Sequence, residues 1–391
     1  MLADSLLENG HEVVRWASDF NHKIGEPRFN KRESVVISSN YQIELLANKV
    51  SYSGSHSINR VISIYIQSFN LVKNLLSASV IPDAVIVSMP APITCFLTAL
   101  FCKIKRIPFF VDGRDMWPNI LFDELTGIKK VLVFPVYLLM RLELILACKW
   151  AHGLIGITEP FKDYLLEHAG RSTGPYDAHF PIGFKQVFHQ YDELAEVKFW
   201  QAHGVTFDIK QKLIYFAGTL NKTVLVEAPK VARAMKEAEK RGLPLKLIIC
   251  GKGNSEDAIK SVFEGIGNVL FPGHVNASHL AFLKSKSSIA LLAIEARHDY
   301  LNSLSNKFFD YASGGLPIVT NLAGLPRSVL EENNAGLFYQ SSSDLINILT
   351  SLAEDESLLD NYSQNAKKMF EDEFEASKVY QKFVRHLETS L

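Results

Sequence analysis

The sequence predicts an α/β protein built from two doubly wound, Rossmann-like domains that face a central cleft. Three observations carry this expectation. The chain has 391 residues, too many for one ordinary hydrophobic core. Short apolar runs alternate with helical patterns along most of its length. Those runs are continuously apolar rather than alternating, as in strands buried on both faces of a parallel sheet.

In the C-terminal half, Lys212 to Ala217 (KLIYFA) reads as a strand stopped by Gly218. A helical pattern runs from Val226 to Arg241 and ends at Gly242. Leu245 to Cys250 (LKLIIC) is the next strand, stopped by Gly251, and Asn268 to Phe271 follows after a short helix. A helix near Ser278 to Lys286 precedes the strand Ser288 to Ile294 (SIALLAI). A helix from Asn306 to Ser313 then leads to the strand Pro317 to Thr320. In the N-terminal half, strands are expected at Ala84 to Ser88, Pro108 to Asp112 and Leu154 to Thr158, with a helix from Ile93 to Ile104. The polar stretch Pro181 to Gln211 reads as loop and boundary. The expected domains are 1–190 and 191–375, with a helix over 376–391 packing back toward the first. The chain opens with a helix, Met1 to Asn9, and then a strand, Glu12 to Trp16. A doubly wound domain normally begins with a strand, so the first strand is read as missing and the N-terminus as truncated.

Composition narrows the function. A formal net charge of −1 gives no electrostatic footprint for nucleic acid, and no such partner is expected. Cys95, Cys102, Cys148 and Cys250 sit in apolar contexts without a CxxC pair, which argues against zinc or redox chemistry. Neither a signal peptide nor a run of ~20 apolar residues is seen, so a cytoplasmic protein is expected. Lys129 to Trp150 is strongly apolar but broken by Pro135, Arg141 and Glu143. It reads either as a buried core helix or as a peripheral contact with the inner face of the cytoplasmic membrane, Lys129, Lys130 and Lys149 toward anionic headgroups.

The candidate chemistry lies at Ser303 to Pro317 (SLSNKFFDYASGGLP). Ser305 or Asn306 is a suitable N-cap, and a helix start presents free N–H groups and positive partial charge to a diphosphate. Lys307 opposes the helix dipole unless an anion accompanies it, and Asp310 could accept from ribose hydroxyls. The alternative is an ordinary capped helix with solvated charges. Gly218-Thr219-Leu220-Asn221-Lys222 and Gly251-Lys252-Gly253-Asn254 point to the same sheet edge. Each puts glycine where backbone must approach something closely. Neither is a Walker loop or a complete dinucleotide fingerprint. Asp112, Arg114 and Asp115 follow a strand and could orient an acceptor hydroxyl or phosphate, or form a structural ion pair. Glu159 ends another strand.

Taken in order, YFAGTLNK, LIICGKG, NVLFPGHV and SNKFFDYASGGLPIV resemble the retaining glycosyltransferases of family 4, which have the GT-B fold. With Gly113 to Pro118 (GRDMWP), similar to an RDxWP motif, the chain is most similar to WbuB-like enzymes of O-antigen and capsule assembly. The resemblance implies transfer of a sugar from a nucleoside-diphosphate donor, UDP-linked, to a hydroxyl of a lipid-linked saccharide, with retention. It places Asp310 at the second acid of a Glu-x7-Glu motif, where the ribose binds, and Asn302 at the first. Lys222 matches one of a basic pair, and Thr219 replaces the other. Pro181 to Phe184 departs from the family's PNG stretch. The expected catalytic residues are Lys222, Lys307 and Asp115. Donor contacts are expected from Gly218, Thr219, Asn221, Gly251, Lys252, Asn302, Ser305, Asn306, Phe308 and Asp310, and acceptor contacts from Asp112, Arg114 and Glu159. No metal or other cofactor is expected. Two rival readings stay open: an inactive sugar-nucleotide-binding remnant, and a GT-B sugar-nucleotide epimerase.

Overall fold

The computed structural model describes the chain apart from residues 22–25, 30, 49, 51–57, 79, 124, 188 and 209. The chain divides into two compact units, Met1–Gly183 with Ala376–Leu391, and Phe184–Glu375. The division falls at 183/184 rather than at 190/191. Gly183 lies under the C-terminal helix, where a Cβ would press into the Tyr380 ring and the Ala376 backbone. Phe184 already donates its N–H to the Phe374 carbonyl at 2.8 Å, inside the second unit. The stretch expected to be loop contains a helix, Glu193–Ala202. Its N-cap is Asp192, whose carboxylate accepts from the N–H groups of Leu194 and Ala195 at 2.9 and 3.3 Å. Trp200 anchors that helix in the core.

In the second unit, six parallel strands lie in the order Val269–Gly273, Leu245–Cys250, Lys212–Ala217, Ile289–Leu292, Ile318–Thr320, Gly336–Phe338. Counted from the Lys212 strand as the first, this is the order 3-2-1-4-5-6 of a doubly wound sheet. Ile214, Leu247, Ala290 and Ile318 are fully buried, as strands covered on both faces require.

The first unit departs from expectation. Its described strands form two larger sheets and a two-residue ladder, Phe20–Asn21 with Glu26–Pro27, and not one sheet. Val85–Met89, Phe109–Gly113, Gly153–Gly156 and Ala178–His179 make a parallel four-stranded sheet. Val13–Ser18 pairs in parallel with Tyr41–Leu46, which forms an antiparallel hairpin with Glu33–Ser38. Among the described residues no strand joins the two sheets. Side-chain alternation along the four-stranded sheet feeds two cores. Phe109, Val111 and Leu154 point into one, with Cys102, Leu144 and Leu165 from helices. Phe110 and Ile155 point into the other, with Tyr380, Phe383 and Leu387 of the helix Ala376–Thr389. Phe180 stacks on Phe383 with ring centroids 4.6 Å apart, and Leu2 and Leu6 pack at the edge.

One helix, Gly127–Trp150, runs through Pro135. Leu144, Ala147 and Cys148 in its second half belong to the core, whereas Ile128, Val131 and Leu132 in its first half are exposed.

Candidate active site

In a 3-2-1-4-5-6 sheet the connections leave strands 1 and 4 in opposite directions, which opens a crevice at their carboxyl ends. Here those strands are Lys212–Ala217 and Ile289–Leu292, paired Ile214 to Ile289 and Tyr215 to Ala290. Gly218 to Asn221 leaves the first and enters the helix Lys222–Lys240. The segment after the second leads to the helix Asn306–Ser313. Ser305 is its N-cap, with Oγ accepting from the Phe308 N–H at 3.4 Å. The helix is tied to the strand end by Tyr311, whose hydroxyl accepts from the Ala217 N–H at 3.3 Å. The Tyr311 ring meets Tyr215 edge to face, centroids 5.5 Å apart.

Lys307 therefore lies at the crevice. Its side chain passes over Gly218 so closely that a Cβ at 218 would overlap Cε. Its ammonium stands 6.0 Å from the Phe216 ring centroid. Among the described residues no carboxylate pairs with it, and burial pulls its pKa below the usual lysine value. A largely buried cation beside a helix start, without a counter-ion, is costly unless an anion joins it. Lys222 and Lys252 lie on the same edge but are exposed.

The glycines of the two loops have an explanation inside the protein. Gly251 has φ +147°, and a Cβ there would overlap the Gly218 carbonyl oxygen. A Cβ on Gly253 would overlap that of Leu220. The loops are laced together by Gly218 N–H to Cys250 O at 2.9 Å, Leu220 N–H to Lys252 O at 3.1 Å, and Ser255 N–H to Leu220 O at 3.0 Å. The close approach expected from the sequence is thus one loop against the next, and it places Thr219, exposed, at the edge. Asn221 caps its helix, Oδ1 accepting from the Thr223 N–H at 3.1 Å and its hydroxyl at 2.6 Å.

Several predicted donor residues have other partners. Phe308 is fully buried and packs edge to face on Phe374, so it is a core residue and not a ligand contact. The Asp310 Oδ1 accepts from Lys284 Nζ at 2.6 Å, and the Tyr215 hydroxyl bonds to the same carboxylate. A carboxylate has about four acceptor positions, so some remain for a ribose hydroxyl. Asn302 donates Nδ2 to the His298 carbonyl at 2.8 Å, and Asn306 is exposed at the helix start. Sequence reasoning missed Lys284, Tyr215 and Tyr311. Tyr311 carried a signal, because it lies one turn beyond Lys307 on the same helix face.

In the first unit, the Asp112 carboxylate is buried and accepts from Arg114 Nε at 2.6 Å and Ser88 Oγ at 3.1 Å. Tyr380 also hydrogen-bonds Arg114. Of the two readings of this motif, the ion pair is the one the geometry holds, and Asp112 is occupied. Asp115 Oδ1 accepts from the Met116 N–H at 2.9 Å. Glu159 begins the helix Glu159–Ala169 and lies 3.3 Å from Lys162 Nζ.

Residues 203–369 match the family described as glycosyl transferases group 1, and among curated proteins none matches. Among solved structures the chain is similar to sucrose-phosphate synthase from Thermosynechococcus elongatus, at 11% identity and TM-score 0.69, over 99% of this chain and 91% of that one. It is similar to Anabaena HepE in complex with UDP, at 14% identity and TM-score 0.62, over 89% and 86%. It is also similar to WaaG, a glycosyltransferase involved in lipopolysaccharide biosynthesis, at 15% identity and TM-score 0.63, over 98% and 94%. These structures share its fold, the GT-B fold, and the match over residues 203–369 gives the second unit a group 1 glycosyltransferase domain, on which the enzyme is a glycosyltransferase.

Proposed function

We propose that the enzyme transfers a sugar from a UDP-linked donor to a hydroxyl of a lipid-linked saccharide, with retention, in the assembly of a surface polysaccharide at the inner face of the cytoplasmic membrane. The observation that carries the donor half is Lys307, a largely buried cation with no carboxylate partner among the described residues, set over Gly218 at the switch point. Its ammonium and the N–H groups of Asn306 and Lys307 receive the diphosphate. As the bond to the sugar breaks, negative charge grows on that leaving group, and groups already fixed around it stabilise the charge without reorganising. The exposed Lys222 supplies a second cation from the neighbouring helix start. The open acceptor positions of Asp310 receive the ribose. The similarity to HepE, solved with UDP, and to WaaG supports the donor class and the pathway.

The test is incubation with a panel of UDP- and GDP-sugars and a polyprenyl-diphosphate-linked saccharide. Free nucleoside diphosphate together with an extended acceptor is the expected result. Interconversion of the sugar nucleotide alone would establish an epimerase instead, and binding without turnover an inactive remnant.

A further inference from the structure

Lys307 and Asp310 stand three residues apart on the helix Asn306–Ser313, a spacing at which side chains are neighbours. Opposite charges at this spacing pair elsewhere in the chain. Lys162 lies 3.3 Å from Glu159, and Lys230 lies 3.0 Å from Glu227. Asp310 is instead bonded to a different lysine. Lys284, on the helix Ala277–Lys286, reaches Asp310 Oδ1 at 2.6 Å, the Asp310 carbonyl at 3.2 Å and Ser313 Oγ at 3.4 Å. Its stem passes over Gly314, where a Cβ would stand 3.0 Å from Cγ and Cδ. Only 15% of the Lys284 side chain is exposed, against 32% for Asp310. The Tyr215 hydroxyl bonds to the same carboxylate from the strand Lys212–Ala217.

An ammonium has three donors, and Lys284 spends all three on the helix it touches. It has none left for a ligand, so its effect on binding passes through Asp310. Lys307 is the opposite case, a largely buried cation with no carboxylate partner among the described residues. It is also the one cation of its helix, and so the neighbour Asp310 would meet if released. Two opposite charges withdrawn from water attract more strongly than exposed ones. Their pairing would fill the anion site with a carboxylate of the protein itself.

We infer that Lys284 is a positioning residue: by holding Asp310 it keeps Lys307 unpaired and open to a diphosphate. This rests on the reading of Lys307 as the diphosphate cation. It also explains how a carboxylate stands one helical turn from an anion site. The charges of Lys284 and Asp310 cancel, Lys307 remains uncompensated, and Asp310 keeps acceptor positions for the ribose.

Calorimetric titration of the full chain with UDP, and with inorganic pyrophosphate, which has no ribose, tests this. Lys284→Met should weaken pyrophosphate about tenfold or more, the worth of a hydrogen bond to a charged group. Asp310→Asn alone should weaken UDP, through the ribose, and leave pyrophosphate within about threefold of wild type. Added to Lys284→Met, Asp310→Asn should bring pyrophosphate back to within about threefold of wild type, because a neutral amide does not capture the ammonium. A fold merely loosened by Lys284→Met would not be mended by a second substitution. The rescue should persist in about 0.5 M potassium chloride, where charges out of contact are largely screened. The control Lys286→Met, on the same helix and paired with Glu193 at 2.6 Å, should bind both ligands as wild type does. The inference is overturned, with the donor site left standing, if Lys284→Met binds pyrophosphate as wild type does or if Lys286→Met weakens it equally. It is equally overturned if Asp310→Asn brings no rescue, or one that salt removes. Wild type that binds neither UDP nor pyrophosphate would overturn the donor site itself, and the inference with it.

Discussion

Replacing Lys307 by methionine separates what this side chain does for binding from what it costs the fold. Methionine keeps the unbranched length and removes the charge. In the free protein the ammonium is desolvated over Gly218 with no carboxylate partner among the described residues. Exchanging a buried charge for an apolar side chain of similar shape stabilises by about 1–2 kcal/mol. For a unit of this size that raises the melting temperature by about 2–4 °C per kcal/mol. The pH dependence has a definite sign. Burial holds the folded pKa below the unfolded value, so the unfolded chain binds more protons between the two. Stability of wild type therefore rises with pH across that window, and the cost is fully present below it. Lys307→Met should lose this rise. Binding moves the other way, since a hydrogen bond to a charged group contributes about 1.5–3 kcal/mol, or roughly 10- to 150-fold in Kd. Thermal unfolding with and without UDP, with calorimetric titration of UDP, measures both. A variant that is less stable than wild type, or one that binds UDP as tightly, would refute the assignment of Lys307 as a cation held for an anionic ligand.

Two further substitutions test the physical account of the loops and the core. Gly251→Ala meets backbone at a left-handed φ and should destabilise by about 2–4 kcal/mol in urea unfolding, whereas Gly218→Ala meets only the movable end of Lys307 and should cost little stability while weakening UDP binding. Glu143 is buried with Oε1 accepting from the Tyr65 hydroxyl at 2.8 Å and Oε2 unpaired among the described residues, and burial pushes its carboxyl up to about 7 from the usual 4.5. The folded state then holds the extra proton, so stability falls as pH rises through that window, by up to about 3 kcal/mol, and Glu143→Gln should abolish the fall in denaturation curves taken from acid to alkaline pH.

The local chemistry of the chain made much of the second unit readable. KLIYFA, LKLIIC and SIALLAI are apolar without a break because both their faces are covered, and a glycine stops the first two. The first unit was harder. The hairpin of Glu33–Ser38 and Tyr41–Leu46 mixes polar and apolar residues, because Val36 and its neighbours face water rather than core. The helix Glu193–Ala202 was hidden in a polar stretch because its burial rests on few side chains, Trp200 among them.

At the candidate site, the sequence by itself determined that a helix starts at Asn306 behind a serine cap with a lysine in its first turn. Capping and dipole are local properties of consecutive residues. What only the tertiary structure decided is which of the nearby side chains remain free. Phe308 goes to the core, Asp310 to Lys284 and Tyr215, Asp112 to Arg114, and the loop glycines to one another. Arg114 is two residues from Asp112 and was legible as an ion-pair partner, but each of the other partners lies far along the chain or on another element, so spacing could not reveal it. Lys307 is left as the cation over the switch point because the strand order 3-2-1-4-5-6 sets the starts of two distant connections side by side.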